Sequence, residues 1–252
     1  MTRAAGVLAA APVLFSLQQT LPPARRELLQ RAFARMLLSS LGIRVVVKDN
    51  RGEVPHDNRG VLVVANHISW LDPFAISAVA PSSFVARADL LTWPGVGWLA
   101  KWGRTVPVAR EQLRSLPAAV EQVAELLSLG KRIAVFPEGT TWCGRSWGKM
   151  RPAFFQAAFD SGAVVSPVHI RYRDADGEIS TAPCFVGEDG LGDSLMRILR
   201  MRDASVEVTL LPYEPPLGDR KTLAARCEAR LRHADSTALN WSGFFSPDPV
   251  VA

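Results

Sequence analysis

From residue 45 onward the apolar positions fall into short runs rich in β-branched residues, separated by stretches with helical spacing. The runs lie at 45–47, 61–65, 83–85, 105–108, 133–136, 164–170 and 206–211. Helical periodicity predicts helices at about 73–80, 112–128, 151–161, 190–201 and 219–232. VLVVA at 61–65 and IAVF at 133–136 are apolar without a break. Strands of that kind are expected where helices cover both faces of a parallel sheet. The alternation predicts an α/β fold, a single domain with a mostly parallel central sheet flanked by helices. No internal repeat or low-complexity linker divides the chain, so this domain is placed at 45–233. An irregular tail follows at 234–252, with Pro247 and Pro249.

The first 44 residues differ in pattern. Ala4 to Leu17 carries no charge, contains Pro12, and is shorter than the ~20 residues that span a bilayer as a helix. Beyond it, Leu28, Leu29, Ala32, Phe33, Met36, Leu37 and Leu41 recur at helical spacing, with Arg31 and Arg35 on another face. Such a helix can lie in a lipid headgroup layer with its arginines meeting anionic lipid, or it can pack on the domain core. A cleavable secretory signal is a third reading of the extreme N-terminus, because Arg3 precedes the apolar stretch.

Charge favours a lipid surface. The net charge is +5, from 29 basic and 24 acidic residues. Residues 1–44 hold six of the basic groups and one acidic group, which leaves 23 of each in the remainder. A nucleic-acid binder spreads Lys and Arg along the surface that tracks the phosphates. Here the whole excess sits beside the most apolar stretch, so 1–44 is read as a membrane-associating segment, and no nucleic-acid partner is expected. The three cysteines, Cys143, Cys184 and Cys227, form neither a disulfide framework nor a metal-ligand cluster. A reducing compartment follows, at the cytoplasmic face of the cell membrane, with peripheral or monotopic attachment.

In parallel sheets, ligands gather at the carboxyl ends of the strands. The run at 61–65 opens into Asn66-His67-Ile68-Ser69-Trp70-Leu71-Asp72-Pro73. A histidine there can act as a base, and a nearby aspartate can hold its ring through the second nitrogen. Five residues along a continuous helix would put the two on different faces. Pro73 disfavours helical angles at Asp72, so a turn that folds Asp72 back toward His67 is feasible. The plainer alternative makes Asp72 and Pro73 an N-cap and first helical residue. The run at 133–136 opens into Pro137-Glu138-Gly139-Thr140-Thr141, which places Glu138 at the same edge of the sheet, followed by a glycine whose backbone can approach a ligand. Arg110 ends Gly103-Arg104-Thr105-Val106-Pro107-Val108-Ala109-Arg110, and its planar fork suits a phosphate.

Taken together, these blocks resemble the glycerolipid acyltransferases of the lysophosphatidate acyltransferase family. The resemblance rests on His-x4-Asp in NHISWLDP, GRTVPVAR, FPEGT and VVSPV, in that order across residues 62–168, with a looser likeness to about 232. It implies transfer of a fatty acyl group from acyl-CoA or acyl carrier protein to the free hydroxyl of a lysolipid, first of all 1-acyl-sn-glycerol-3-phosphate. It also implies His67 as general base, Asp72 as the group that fixes its tautomer, no covalent intermediate, and no metal or bound cofactor. Arg110 is assigned to the acceptor's phosphate, and Glu138, Gly139 and Thr140 to holding the acceptor. Ala109 and Arg87 depart from common family residues. Ala109 bears on the acceptor, and lyso-ornithine lipid, which lacks phosphate, is the alternative.

Other readings stay open on sequence. Gly144-Arg145-Ser146-Trp147-Gly148 matches the G-x-S-x-G pattern of serine hydrolases, which requires a strand directly before the serine and a helix directly after it. A non-catalytic lipid-binding relative would keep the fold. A metal-dependent hydrolase built on His67, Asp72, Glu138 and His169 has no H-E-x-x-H pairing to support it. His169 reads as a strand residue. Trp93, Trp98 and Trp102 suit a membrane interface, an acyl pocket or core packing.

Overall fold

The structure is a computed structural model that describes Gly6 and residues 20–52, 60–88, 105–108, 116–187 and 189–235. Arg110, Ala109, the tryptophans of the 89–104 segment, the apolar stretch at 4–17 apart from Gly6, and most of the C-terminal tail lie outside the described residues. Seven strands form one sheet: β1 (Ile43–Asp49), β2 (Val61–Ala65), β3 (Ser83–Arg87), β4 (Val106–Val108), β5 (Arg132–Val135), β6 (Val164–Arg173) and β7 (Ala204–Leu210). Six helices accompany them: α1 (Pro23–Ser40), α2 (Asp72–Ser77), α3 (Leu116–Ser128), α4 (Phe155–Ser161), α5 (Leu191–Arg200) and α6 (Arg220–Ala234).

The strand order is β1-β7-β6-β2-β5-β3-β4. Every pairing is parallel except β6 with β7, so the sheet is mostly parallel and the two strands at one edge, β1 and β7, run against the rest. The unbroken apolar runs have the predicted cause. On β2, Leu62 and Val64 face a core shared with α3, α4 and α6, while Val63 and Ala65 face a second core shared with α1 and α2. Both sets are buried, so no position is left for a polar residue. Gly60 sets the entry to β2: a Cβ there would lie 2.7 Å from the Leu127 Cα, against backbone that cannot give way.

The helix expected from 151 begins at Phe155, after Pro152, and is shorter than its periodicity suggested. The start of α3 expected at 112 lies outside the described residues, and its end at Ser128 is as expected. The placement of α1 is more consequential. Phe33, Ala34, Leu37 and Leu38 are buried in the same core as β2, β6 and β7, so the packed unit starts before residue 45. Arg31 Nη2 donates to the Val79 carbonyl at 3.2 Å and Arg35 Nε to the Ala78 carbonyl at 3.0 Å, satisfying acceptors just past the end of α2. Buried Gln30 adds a 2.8 Å bond to the Ser82 carbonyl and a 3.2 Å bond to Ser77 Oγ. Leu28 and Met36 remain exposed on the outer face of α1. Among the described residues, no helix is long and apolar enough to cross a membrane.

Candidate active site

At the end of β2 the chain must leave the sheet and still present a histidine. Asn66 manages the departure: its Nδ2 donates to the Ile170 carbonyl at 2.9 Å, and its Oδ1 accepts from the Ile170 amide at 2.8 Å. The side-chain amide thus extends the β2 to β6 ladder one step past the final pair, Ala65 with Val168. The next residue is pinned on both flanks. The His67 carbonyl accepts from the Trp142 amide at 2.8 Å, and the Ile68 carbonyl from the Phe185 amide at 3.0 Å.

Asp72 folds back toward His67, but not because Pro73 keeps it out of the helix: Asp72 is itself helical, and the turn before it brings the carboxylate round. It is the first residue of α2, with Leu71 at the N-cap, and its carboxylate serves the preceding turn and not the helix amides ahead of it. Oδ2 accepts from the Ile68 amide at 2.6 Å and the Ser69 amide at 2.8 Å, and lies 2.8 Å from His67 Nδ1. Oδ1 accepts from the Tyr172 hydroxyl at 2.8 Å. The carboxylate is 0% exposed, and four donors take the place of water around it. A carboxylate at Nδ1 makes that nitrogen the proton carrier, so Nε2 is the lone-pair nitrogen. The ring's other support is a stack on Phe136, centroids 4.1 Å apart and planes 15° apart, with Phe84 behind at 6.3 Å.

The second strand end arrives at the same place. Phe136, Pro137, Glu138 and Gly139 form a turn closed by the Gly139 amide to the Phe136 carbonyl at 3.1 Å, with proline second and a glycine of φ 79° last. The Arg151 guanidinium lies over Gly139, where a Cβ would stand 3.2 Å from Cζ. Thr140 is exposed. Glu138 points inward and is buried, 5% exposed. Burial, followed by the neighbouring charges of Asp72 and Glu228, pushes its carboxyl well above the usual range, against backbone donors at Gly148 and His67. The Gly148 bond is long, at 3.5 Å.

His67 and Glu138 line one narrow cleft together with Trp142, Trp147, His169, Glu228 and Asp235, among others. The segment 142–150 closes over it and is held to α6: Glu228 accepts from the Met150 amide at 3.0 Å, and the Arg232 guanidinium sits 5.7 Å from the Trp147 ring centroid. His169 is buried in β6, 3.7 Å from Asp235, which also pairs with Arg171. Among the described residues, no group of three or more His, Cys, Asp or Glu side chains is placed to hold a metal ion.

The G-x-S-x-G match does not form a nucleophile elbow. β5 ends at Val135 and α4 begins at Phe155, so Ser146 lies in a loop far from both. Its Oγ is 3.1 Å from Cys143 Sγ, and among the described residues no histidine hydrogen-bonds to it. Of the sequence-derived site residues, the structure brings His67, Asp72, Glu138 and Gly139 into one place. Asn66, Tyr172 and Phe136 escaped the sequence reading. Only the position of Asn66 directly before His67 gave a local signal.

Comparison with known proteins agrees with this geometry. An acyltransferase family model matches residues 25–171. A 1-acyl-sn-glycerol-3-phosphate acyltransferase of Neisseria gonorrhoeae is 38% identical over 154 residues, 61% of this chain and 60% of that protein. This match therefore spans less than two thirds of the relative's length. A lyso-ornithine lipid O-acyltransferase of Pseudomonas aeruginosa is 35% identical over 224 residues, 87% of this chain and 84% of that one. The crystal structure of the 1-acyl-sn-glycerophosphate acyltransferase of Thermotoga maritima shares the fold, with a TM-score of 0.67 at 21% identity, covering 93% of this chain and 91% of that one. With its His67 and Asp72 inside a family match that covers more than half its length, the chain belongs to the acyltransferase family.

Proposed function

We propose that the protein is an O-acyltransferase that moves a fatty acyl group from an acyl-CoA or acyl carrier protein thioester to the free hydroxyl of a lysolipid, 1-acyl-sn-glycerol-3-phosphate first. The observation that carries this reading is the buried Asp72 fixing His67 Nδ1 while Nε2 has no partner among the described residues. His67 Nε2 takes the acceptor's hydroxyl proton as its oxygen attacks the thioester carbonyl. The tetrahedral adduct collapses with cleavage of the C–S bond, and the imidazolium returns the proton to the departing thiolate. The chemistry needs a base and no protein nucleophile. Arg110 is assigned to the acceptor's phosphate, and the Glu138-Gly139-Thr140 turn to holding the acceptor. A lysolipid resides in a membrane, which fits the basic, apolar N-terminus and a working place at the cytoplasmic face.

Lyso-ornithine lipid is the second acceptor reading. The long match to the Pseudomonas enzyme favours it.

The test supplies purified, detergent-solubilised protein with acyl-CoA and either lysolipid, following thiol release and the diacyl product together. Transfer is expected in the wild type and in Ser146→Ala, with loss of it in His67→Ala. Hydrolysis alone, or full transfer by His67→Ala, refutes the proposal.

A further inference from the structure

We propose that Tyr172 is a positioning residue of the reaction, acting through Asp72 to set how strongly His67 behaves as a base. The inference rests on the reading of His67 as that base. Tyr172 stands on β6, one hundred positions from Asp72 in the chain, and is 1% exposed. Its hydroxyl donates to Asp72 Oδ1 at 2.8 Å, the carboxylate oxygen that the amides of Ile68 and Ser69 do not reach. Without that bond, Oδ1 is a charged oxygen in a dry site with no donor.

The donor cannot easily change role. Burial, followed by the charge of Asp72, pushes the Tyr172 phenol well above its usual range, so it keeps its proton. The Ser69 hydroxyl makes a hydrogen bond that acts in the opposite sense, leaving the phenolic proton to Asp72. Among the described residues, the titratable groups that face the Asp72 charge include His67, Tyr172, Glu138 and Cys184, from four different segments of the chain. Of these, Glu138 and Cys184 are shifted toward their protonated forms, so Tyr172 is the neutral group that stabilises the negative charge by direct donation at Oδ1.

β6 holds both ends of the NHISWLD segment: Ile170 takes Asn66, and Tyr172 takes Asp72. The strand is thus a fixed frame to which base and carboxylate are both attached, and its phenol adjusts the charge between them.

Tyr172→Phe keeps the ring and removes the donor. Loss of a donor concentrates charge on Oδ2, which favours the protonated dyad. The acidic limb of the kcat/KM profile is expected to move about one pH unit upward. Well below that limb kcat at a given pH falls about tenfold and recovers at higher pH, while KM for donor and acceptor is unchanged. A substrate-free readout separates this from the acceptor question. The proton NMR resonance of His67 Nδ1–H, assigned by its loss in His67→Gln, moves downfield in Tyr172→Phe. The chain has only two tyrosines, Tyr172 and Tyr213. In a Tyr213→Phe background, 3-fluorotyrosine therefore reports on residue 172 alone, and as a stronger donor it moves the limb the other way. An unmoved resonance with an unshifted pH profile, whatever the loss of melting temperature, would assign Tyr172 to packing and overturn the proposal.

Discussion

Asp72→Asn isolates the charge of the dyad from its geometry. The asparagine can keep its carbonyl oxygen where Oδ2 is now, accepting from the amides of Ile68 and Ser69 and from His67 Nδ1. Its NH2 then replaces Oδ1, and the Tyr172 hydroxyl can rotate to accept from it. The flipped amide would set donor against donor at three bonds, so only one orientation fits. The fold is therefore retained, at a cost of about 1–2 kcal/mol for weakened bonds. Catalysis loses more. In the proposed reaction His67 becomes imidazolium as the acceptor oxygen attacks, now beside a neutral amide in place of the carboxylate. Two unit charges about 4 Å apart at an effective dielectric of about 20 interact by about 4 kcal/mol. That is close to a thousandfold in kcat, with KM little changed. The assay is steady-state thiol release with both substrates varied, alongside thermal unfolding by circular dichroism. A folded Asp72→Asn enzyme that keeps a tenth or more of the wild-type kcat would refute the reasoning.

Two further outcomes follow from the same geometry. In the folded protein, burial makes Glu138 hold its proton above the ordinary value of 4.5, whereas the unfolded chain releases it there. The folded state then binds more protons, so stability falls as pH rises from about 4.5 toward the folded pKa. Glu138→Gln removes that slope and gains on the wild type as pH rises from 5 to 8, read as urea midpoints; parallel curves refute the buried-acid account. Deleting residues 1–19 is expected to weaken sedimentation with anionic liposomes and leave the fold intact. Deleting 1–44 removes Phe33, Leu37 and Leu38 from the core, at roughly 1.5–3 kcal/mol each, and unfolds the protein. Equal liposome binding by the first truncation and the full chain refutes the N-terminal attachment.

The elements were legible because their signals are local. Unbroken apolar runs marked β2 and β5, and Pro137 with Gly139 marked the turn that carries Glu138, whereas Pro73 misled on Asp72, which is helical and is turned back by the amides of Ile68 and Ser69. What escaped is long-range. Tyr172 and Ile170 reach their partners across one hundred or more residues, and nothing in VHIRYR distinguishes a tyrosine that packs from one that donates to a carboxylate. The reversal of β7 and β1 was hidden for a related reason. Strand sequences record burial, and β7 packs Ala204, Val206, Val208 and Leu210 into the core whichever way it runs. For α1, the apolar stripe was visible, but its choice between lipid and protein depended on the carbonyls of Ala78 and Val79 meeting Arg35 and Arg31.

Those two arginine bonds have a mechanical meaning. They fasten α1 to the end of α2, and α2 begins with Asp72. A force applied upstream of Pro23 therefore passes along an 18-residue helix into the short helix that carries the dyad's carboxylate. The connection is a strut and not a tether. The distance from the start of α1 to the His67–Asp72 pair is therefore set by the fold and not by a flexible linker.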